Sequence, residues 1–323
     1  TLRRAWSSFE RSFSSKLKPM SNGLRIGTRD SELALWQANT VLDHLKKAGH
    51  QAELVPVKST GDLVVDKPLY ELGITGIFTR TLDVALLKGD VDLVVHSMKD
   101  VPTALPEGII QAAVLKRANP SDIMVHKGLD FLKGEGVVAT GSLRRKAQWL
   151  RRYPNHQIVD LRGNVNTRLR KLREHSWNAA VFAAAGLERI GLLPQSHAVL
   201  DWMLPAPAQG AMLVVVRQDD PRALEIARGL NDNDSALCTA VERDFLRTLE
   251  GGCTAPIGAQ ATLEHGILHF KGGVFSLDGR DEVQIEDTVS LEGASGFGAK
   301  CALEVLDSGG AAIMETIRNS NVR

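Results

Sequence analysis

Aromatic residues make up 5% of the 323-residue chain, cysteine occurs three times, and the formal net charge is +1. Each shortage excludes something. So few aromatic rings do not suit a stacking platform for single-stranded nucleic acid. Cys238, Cys253 and Cys301 stand at wide, irregular spacing, which supplies neither a disulfide framework nor a Cys-x-x-Cys metal pair and points to a reducing compartment. Apolar stretches such as 91–95 and 212–216 have the length of buried strands, well short of a membrane span. There is no P-loop, dinucleotide fingerprint, zinc-ligand spacing or nucleophile elbow. With charge nearly balanced, affinity for an anion must come from local clustering.

Hydrophobic residues at 43% and charged residues at 24% are ordinary for a globular protein, and the length predicts two or three domains. Residues 1–20 hold five Lys/Arg, six Ser/Thr and one acid and read as a disordered leader, with a bias that transit peptides share. From Leu24 the pattern becomes strand, loop, helix. A strand at 24–28 precedes a helix from about Ser31 that carries Ala38, Val41, Leu42 and Leu45 on one face and stops at Gly49. A strand at 53–57, a helix at 78–88 and an apolar strand at 91–96 follow. Such runs suit a parallel sheet covered on both faces. The same grammar restarts after Pro120, with strands at 122–125, 137–140, 157–161 and 179–183 and helices at 143–152 and 165–175. A strand at 212–217 and a helix at 221–229 come next. From Ile257 short strands at 257–263, 267–270 and 283–289, Gly-rich turns and a helix at 297–306 predict a smaller α+β unit.

Between Ala139 and Arg173 ten Lys/Arg accompany a single acid, Asp160. Lys146, Arg151, Arg152, Arg170 and Lys171 read as a solvated helix face. Arg144, Arg145 and Arg162 lie just beyond the carboxyl ends of predicted strands, where open α/β sheets place their ligands and helix N-termini offer N–H groups. Arg29 occupies the equivalent corner of the first unit, and Arg168 sits in the helix after Arg162. Several guanidinium groups at facing strand ends imply a ligand with several anionic groups. Asp100 follows another strand; it either caps a turn before Val101-Pro102 or supplies a carboxylate to the cationic site. Cys253, in Glu250-Gly-Gly-Cys-Thr-Ala-Pro256, occupies a loop that suits either a buried inert thiol or a reactive one, whereas Cys238 and Cys301 fall on helices and read as inert. No metal site is expected.

Taken in order, six stretches resemble the porphobilinogen deaminase (hydroxymethylbilane synthase) family: residues 24–34 (LRIGTRDSELA), 95–102 (VHSMKDVP), 142–145 (SLRR), 161–168 (LRGNVNTR), 209–211 (QGA), and Glu242-Arg243 through Glu250-Gly-Gly-Cys253. The resemblance covers essentially everything after the leader. It implies two type II periplasmic-binding-protein-like α/β domains around a cleft, 21–115 plus 211–229 and 116–208, and a smaller α+β domain at 231–323. It further implies a dipyrromethane cofactor in thioether linkage to Cys253, onto which porphobilinogen units are condensed. Asp100 is then the catalytic carboxylate. Arg29, Arg144, Arg145, Arg162 and Arg168, supported by Ser31, Lys99, Thr140 and Ser142, hold cofactor and substrate carboxylates. A monomeric, cytoplasmic enzyme without nucleic-acid or membrane partners is expected, or a plastid one if the leader is a transit-peptide remnant. The alternative is a non-catalytic binding protein for a polycarboxylate. Three positions depart from the family pattern: Thr75 where lysine is usual, Gly141 where serine is common, and Pro205-Ala-Pro-Ala208 in place of Pro-Ala-Val-Gly.

Overall fold

The computed structural model describes residues 23–57, 79–250 and 255–320. The leader, Thr75 and Cys253 lie outside the described residues. A first series runs β1 (Leu24–Thr28), α1 (Glu32–Lys47), β2 (Ala52–Pro56), α2 (Arg80–Leu87), β3 (Leu93–Ser97) and β4 (Ile109–Val114). A second runs β5 (Asp122–His126), β6 (Val137–Ala139), α3 (Leu143–Arg152), β7 (Gln157–Val159), α4 (Val165–Glu174), β8 (Ala179–Ala183), α5 (Ala184–Arg189) and β9 (His197–Val199). Then come β10 (Met212–Arg217), α6 (Pro221–Arg228) and α7 (Asn233–Thr248). The chain closes with β11 (Ile257–Glu264), β12 (Ile267–Phe275), β13 (Glu282–Ser290), α8 (Phe297–Val305) and α9 (Ala311–Ser320).

The strands form two five-stranded sheets of identical plan, β2-β1-β3-β10-β4 and β7-β6-β8-β5-β9, and a three-stranded antiparallel sheet, β11-β12-β13. In each five-stranded sheet the strand next to the edge runs antiparallel to the central one, β10 against β3 and β5 against β8. Each of these two strands is the one entered by a crossing between the sheets. That is the type II periplasmic-binding-protein-like arrangement the resemblance implied. Both faces of both sheets are covered, as their continuous apolar runs require. Leu93, Val95, Val214 and Val216 pack on α1 and α6, while Val94, Leu213 and Val215 pack with Leu82 and Leu86 of α2.

Local chemistry explains the element ends. Asn164 and Asp232 cap α4 and α7 by accepting from Thr167 N and Ser235 N at 2.9 Å each. The strand expected at 267–270 runs on to Phe275 through Gly272-Gly273, because a Cβ at Gly272 would lie 2.8 Å from the Phe245 ring, so glycine lets the strand lie flat on α7. Strands β4 and β9 and helices α5 and α9 were not anticipated. In β4 the order comes from pairing with β10, which arrives about a hundred residues later.

A buried ion pair gathers the three sheets. Glu242 of α7, fully buried, meets Arg117 of the first crossing at 2.5 Å and accepts from Ala208 N of the second crossing and Ala261 N of β11 at 2.6 Å each. Ala208 is held at φ 61°, a left-handed conformation that costs a non-glycine residue about 1–2 kcal/mol, and its N–H bond to Glu242 offsets part of that. The neighbouring Arg243 donates to Val101 O at 2.9 Å and Pro102 O at 2.6 Å, fixing the backbone just after Asp100.

Candidate functional site

The residues expected to hold the ligand gather at the carboxyl ends of strands. Arg29 and Ser31 join β1 to α1; Lys99 and Asp100 form a single 3₁₀ turn after β3; Thr140 and Ser142 join β6 to α3; Arg162 follows β7. The hydroxyls are partly committed to building these corners. Ser142 caps α3, its Oγ accepting from Arg145 N at 3.4 Å, and Thr140 Oγ1 accepts from Ser142 N at 3.3 Å. A Cβ at Gly141 would lie 2.7 Å from Leu161 O, so the absent serine is the consequence of two strand-end loops in close approach.

Arg144 and Arg145 are not on a solvated surface. Both are buried, and both are paired with Asp122, the fully buried first residue of β5. Arg144 Nη1 donates to Asp122 Oδ2 and to Leu204 O at 2.6 Å each. Arg145 uses Nε (2.9 Å) and Nη2 (2.7 Å) on Asp122 Oδ1, and Nη1 on Val181 O at 3.0 Å. All three guanidinium nitrogens of Arg145 are thus engaged internally, so it offers charge rather than an open fork. Arg144 makes both bonds through Nη1 and also lines the cavity described below. Although burial opposes ionisation, the two guanidiniums hold the Asp122 carboxyl well below the usual carboxylate range.

Lys99, Asp100, Arg145, Arg162 and Arg168 form one electrostatic cluster. Burial, and then the like charge of Arg145, push the Lys99 amine down to about 8, against the attraction of Asp100 and Asp122. Burial and Arg145 likewise push Arg168 down to about 10, with Asp100 opposing and Arg162 adding to the shift. Arg168 Nε donates to Gly163 O at 2.8 Å, which folds it back over its own loop. Burial, and then the charge of Arg29, push His96 down to about 4, and His96 Nε2 has no hydrogen-bond partner. Cations outnumber carboxylates here, and they depress one another's ionisation, which is the signature of a site built for an anion.

A cavity opens beside this cluster, lined by Lys99, Ser142 and Arg144 together with Pro207, Leu246, Ala255 and Ile257. The lining mixes polar and cationic side chains with apolar ones, and all three sheets contribute. Cationic and hydroxyl groups suit anionic side groups and apolar residues suit ring faces, and Ala255 lies two residues after Cys253 in the chain. Of the two residues that depart from Pro-Ala-Val-Gly, Pro207 falls on the cavity lining and Ala208 is the residue held at φ 61°.

The sequence reading missed three residues. Asp122 was legible only as a strand start, because its partners lie 22 and 23 residues away. Gln209, buried at the second crossing, accepts from Lys99. Arg189 donates to Gly210 O at 2.7 Å and lies 5.5 Å over the Trp36 ring. Arg151 and Arg152 are exposed, as expected of a solvated helix face, and both also have partners. Arg151 binds Glu282 at 2.6 Å and Arg280 O at 2.9 Å, tying α3 to the third sheet, and Arg152 stacks 5.0 Å over Trp202. Cys238 and Cys301 are buried free thiols, each pushed up to about 11 by burial, as inert cysteines should be.

The Lys99 shift gives a direct expectation. A carboxylate attracts the ammonium and not the amine, so affinity for a small tricarboxylate such as citrate falls as pH rises through about 8. Calorimetric titration from pH 7 to 9.5 reads this, and Lys99→Met should abolish that limb of the profile while lowering affinity at pH 7. A flat wild-type profile would remove Lys99 from the anion site.

The chain matches the family model described as "Porphobilinogen deaminase, dipyromethane cofactor binding domain" over residues 24–225 and that described as "Porphobilinogen deaminase, C-terminal domain" over residues 236–307. It is 46% identical over 304 residues to the porphobilinogen deaminase of Rubrobacter xylanophilus, covering 93% of this chain and 99% of that protein. With that of Pelotomaculum thermopropionicum it shares 42% over 311 residues, covering 94% and 100%. Among solved structures, the methionine binding protein MetQ is 18% identical with a TM-score of 0.44, covering 69% of this chain and 95% of that one.

Proposed function

The chain belongs to the porphobilinogen deaminase family, and we propose that the cavity between its three sheets is where the family's reaction takes place. The enzyme is a transferase that condenses four porphobilinogen molecules, with loss of ammonia, onto a covalently held dipyrromethane cofactor and releases hydroxymethylbilane by hydrolysis. The observation that carries the siting is the mixed lining of the cavity, Lys99, Ser142 and Arg144 together with Leu246, Ala255 and Ile257.

In this reading Cys253 is the thioether attachment point and takes no part in each turnover. Arg29, Arg144, Arg162 and Arg168 hold acetate and propionate groups through charge-assisted hydrogen bonds, with Lys99, Ser31, Thr140 and Ser142 around them. Arg145 acts through its charge, since its nitrogens are engaged with Asp122 and Val181 O. Asp100 stabilises the positive charge that develops on the incoming pyrrole as ammonia leaves, donates no proton itself, and takes up on its carboxylate the proton released in coupling. A passive binder of polycarboxylates gains nothing from an acid placed there.

In this reading the enzyme is a cytoplasmic monomer, and the buried free thiols Cys238 and Cys301 suit a reducing compartment. Among the described residues no helix is long and apolar enough to cross a membrane. Intact-mass measurement tests the reading. Protein from cells that make porphobilinogen should exceed its sequence mass by a dipyrrole, the excess should map to the Cys253 peptide, and Cys253→Ala should lack it. Unmodified Cys253 in such protein would overturn the attachment.

A further inference from the structure

Gln209 has no role in the mechanism above, yet it is fully buried between the two halves of the site. Its Oε1 accepts from Lys99 Nζ at 3.1 Å, the residue beside Asp100. Its Nε2 donates to Asp122 Oδ1 at 3.0 Å and to Pro120 O at 2.7 Å, and Asp122 is the carboxylate that holds Arg144 and Arg145. Its own backbone is fixed: Gln209 O accepts from Arg117 Nε at 2.8 Å, and Gln209 N donates to Ala206 O at 2.9 Å. The next residue, Gly210, is at φ 87°, and a Cβ there would lie 2.6 Å from Ala118 O, so the two crossing segments touch backbone to backbone. A side chain anchored at that contact moves little when the sheets shift relative to each other.

We infer that Gln209 is a positioning residue that sets the Lys99 ammonium in register with the Arg144–Arg145 pair, through Asp122, so that one anionic ligand meets cations from both halves of the cleft. The inference rests on the reading of the cleft given above. An amide suits the task because one end accepts from an ammonium while the other donates to a carboxylate. Neither a carboxylate nor an aliphatic side chain does both. The charged groups acting on Lys99 are Asp100 from its own turn, Asp122 from β5, and Arg144 and Arg145 from α3. Gln209 adds the uncharged contact that joins these groups.

Two isosteric or near-isosteric changes separate the two ends. In Gln209→Leu the Lys99 ammonium loses its acceptor, and its titration midpoint should fall by about one pH unit, so that the reactive amine is about tenfold more abundant below the midpoint. In Gln209→Glu the acceptor is kept and a negative charge is added, so the midpoint should rise, while the donor to Asp122 is lost. Competitive labelling with acetic anhydride across pH 6–10, with the Lys99 peptide read by mass spectrometry, measures both. Steady-state kinetics on porphobilinogen should show a KM raised about tenfold in Gln209→Leu, with kcat changed less. Shifts of opposite sign support the inference. An unmoved midpoint in both variants, or shifts of the same sign, overturns it. If only Gln209→Glu folds, an unmoved midpoint there overturns it, and if neither folds, Gln209 is a residue of folding and the inference fails. Labelling needs no turnover, so absence of hydroxymethylbilane from the wild-type protein would refute the proposed reaction without touching the Lys99–Gln209 coupling.

Discussion

Converting Asp100 to asparagine is expected to lower the rate of hydroxymethylbilane formation by about 10²–10⁴-fold, the usual worth of a positioned acid–base group. The substitution keeps the shape and one hydrogen-bonding oxygen but removes the charge and the site for a proton. The backbone should stay in place, because Arg243 holds the carbonyls of Val101 and Pro102 whatever stands at position 100. Asp100 also favours ionisation of Lys99 and Arg168, so its loss leaves the cation cluster less compensated and ligand binding intact or tighter. The effect therefore belongs in kcat rather than KM. Single-turnover kinetics with porphobilinogen, alongside an intact mass that still carries the dipyrrole, separates chemistry from assembly. A rate within a few-fold of wild type would take Asp100 out of the mechanism.

Asp122→Ala should be the most destabilising single change at the site. It strips the carboxylate from two buried guanidiniums bonded at 2.6–2.9 Å, and breaking a buried pair from one side costs about 3–5 kcal/mol because the surviving charge is left uncompensated. Thermal unfolding should move down by roughly 2–4 °C per kcal/mol for a domain of this size. The pH dependence has a definite sign. The Asp122 carboxyl is depressed in the folded protein, so its contribution is fully present above its unfolded value of about 3.9 and is lost only as pH falls through the lower folded value. Wild type and Asp122→Ala should differ by a constant amount from pH 5 to 8 and converge only below about pH 4. Calorimetric scans at pH 7 and pH 3 check this, and a variant as stable as wild type at pH 7 would show that the arginines find other partners. Anion affinity should fall as well, since Arg144 and Arg145 lose what orients them.

Much of this was legible in the sequence, and for identifiable reasons. The periodic apolar face of α1, the runs 179–183 and 212–217, and the helices at 143–152 and 165–174 are set by contacts within a few residues, and the expected spans lie close to the observed ones. The strand-end placement of Arg29, Asp100, Ser142 and Arg162 followed from the alternation of elements, because in an open α/β sheet the loops after the strands share one edge. The edge strands β4 and β9 escaped notice because each is ordered by a strand distant in the chain. Arg151 and Arg152 are exposed as expected, but their partners Glu282 and Trp202 escaped notice because those segments come near only after folding.

By itself, the sequence determined the element pattern, the clustering of cations between Ala139 and Arg173, and the family. Only the tertiary structure decided what each cation does. It gave Arg145 entirely to Asp122 and Val181 O, left Arg144 at the cavity wall, drew Arg168 back over Gly163, and joined Lys99 to Asp122 through Gln209, 110 residues along the chain from Lys99. The reason is that hydrogen bonding and ionisation depend on desolvation and on charges a few ångströms away, and those neighbours are set by how the sheets close on one another rather than by order along the chain.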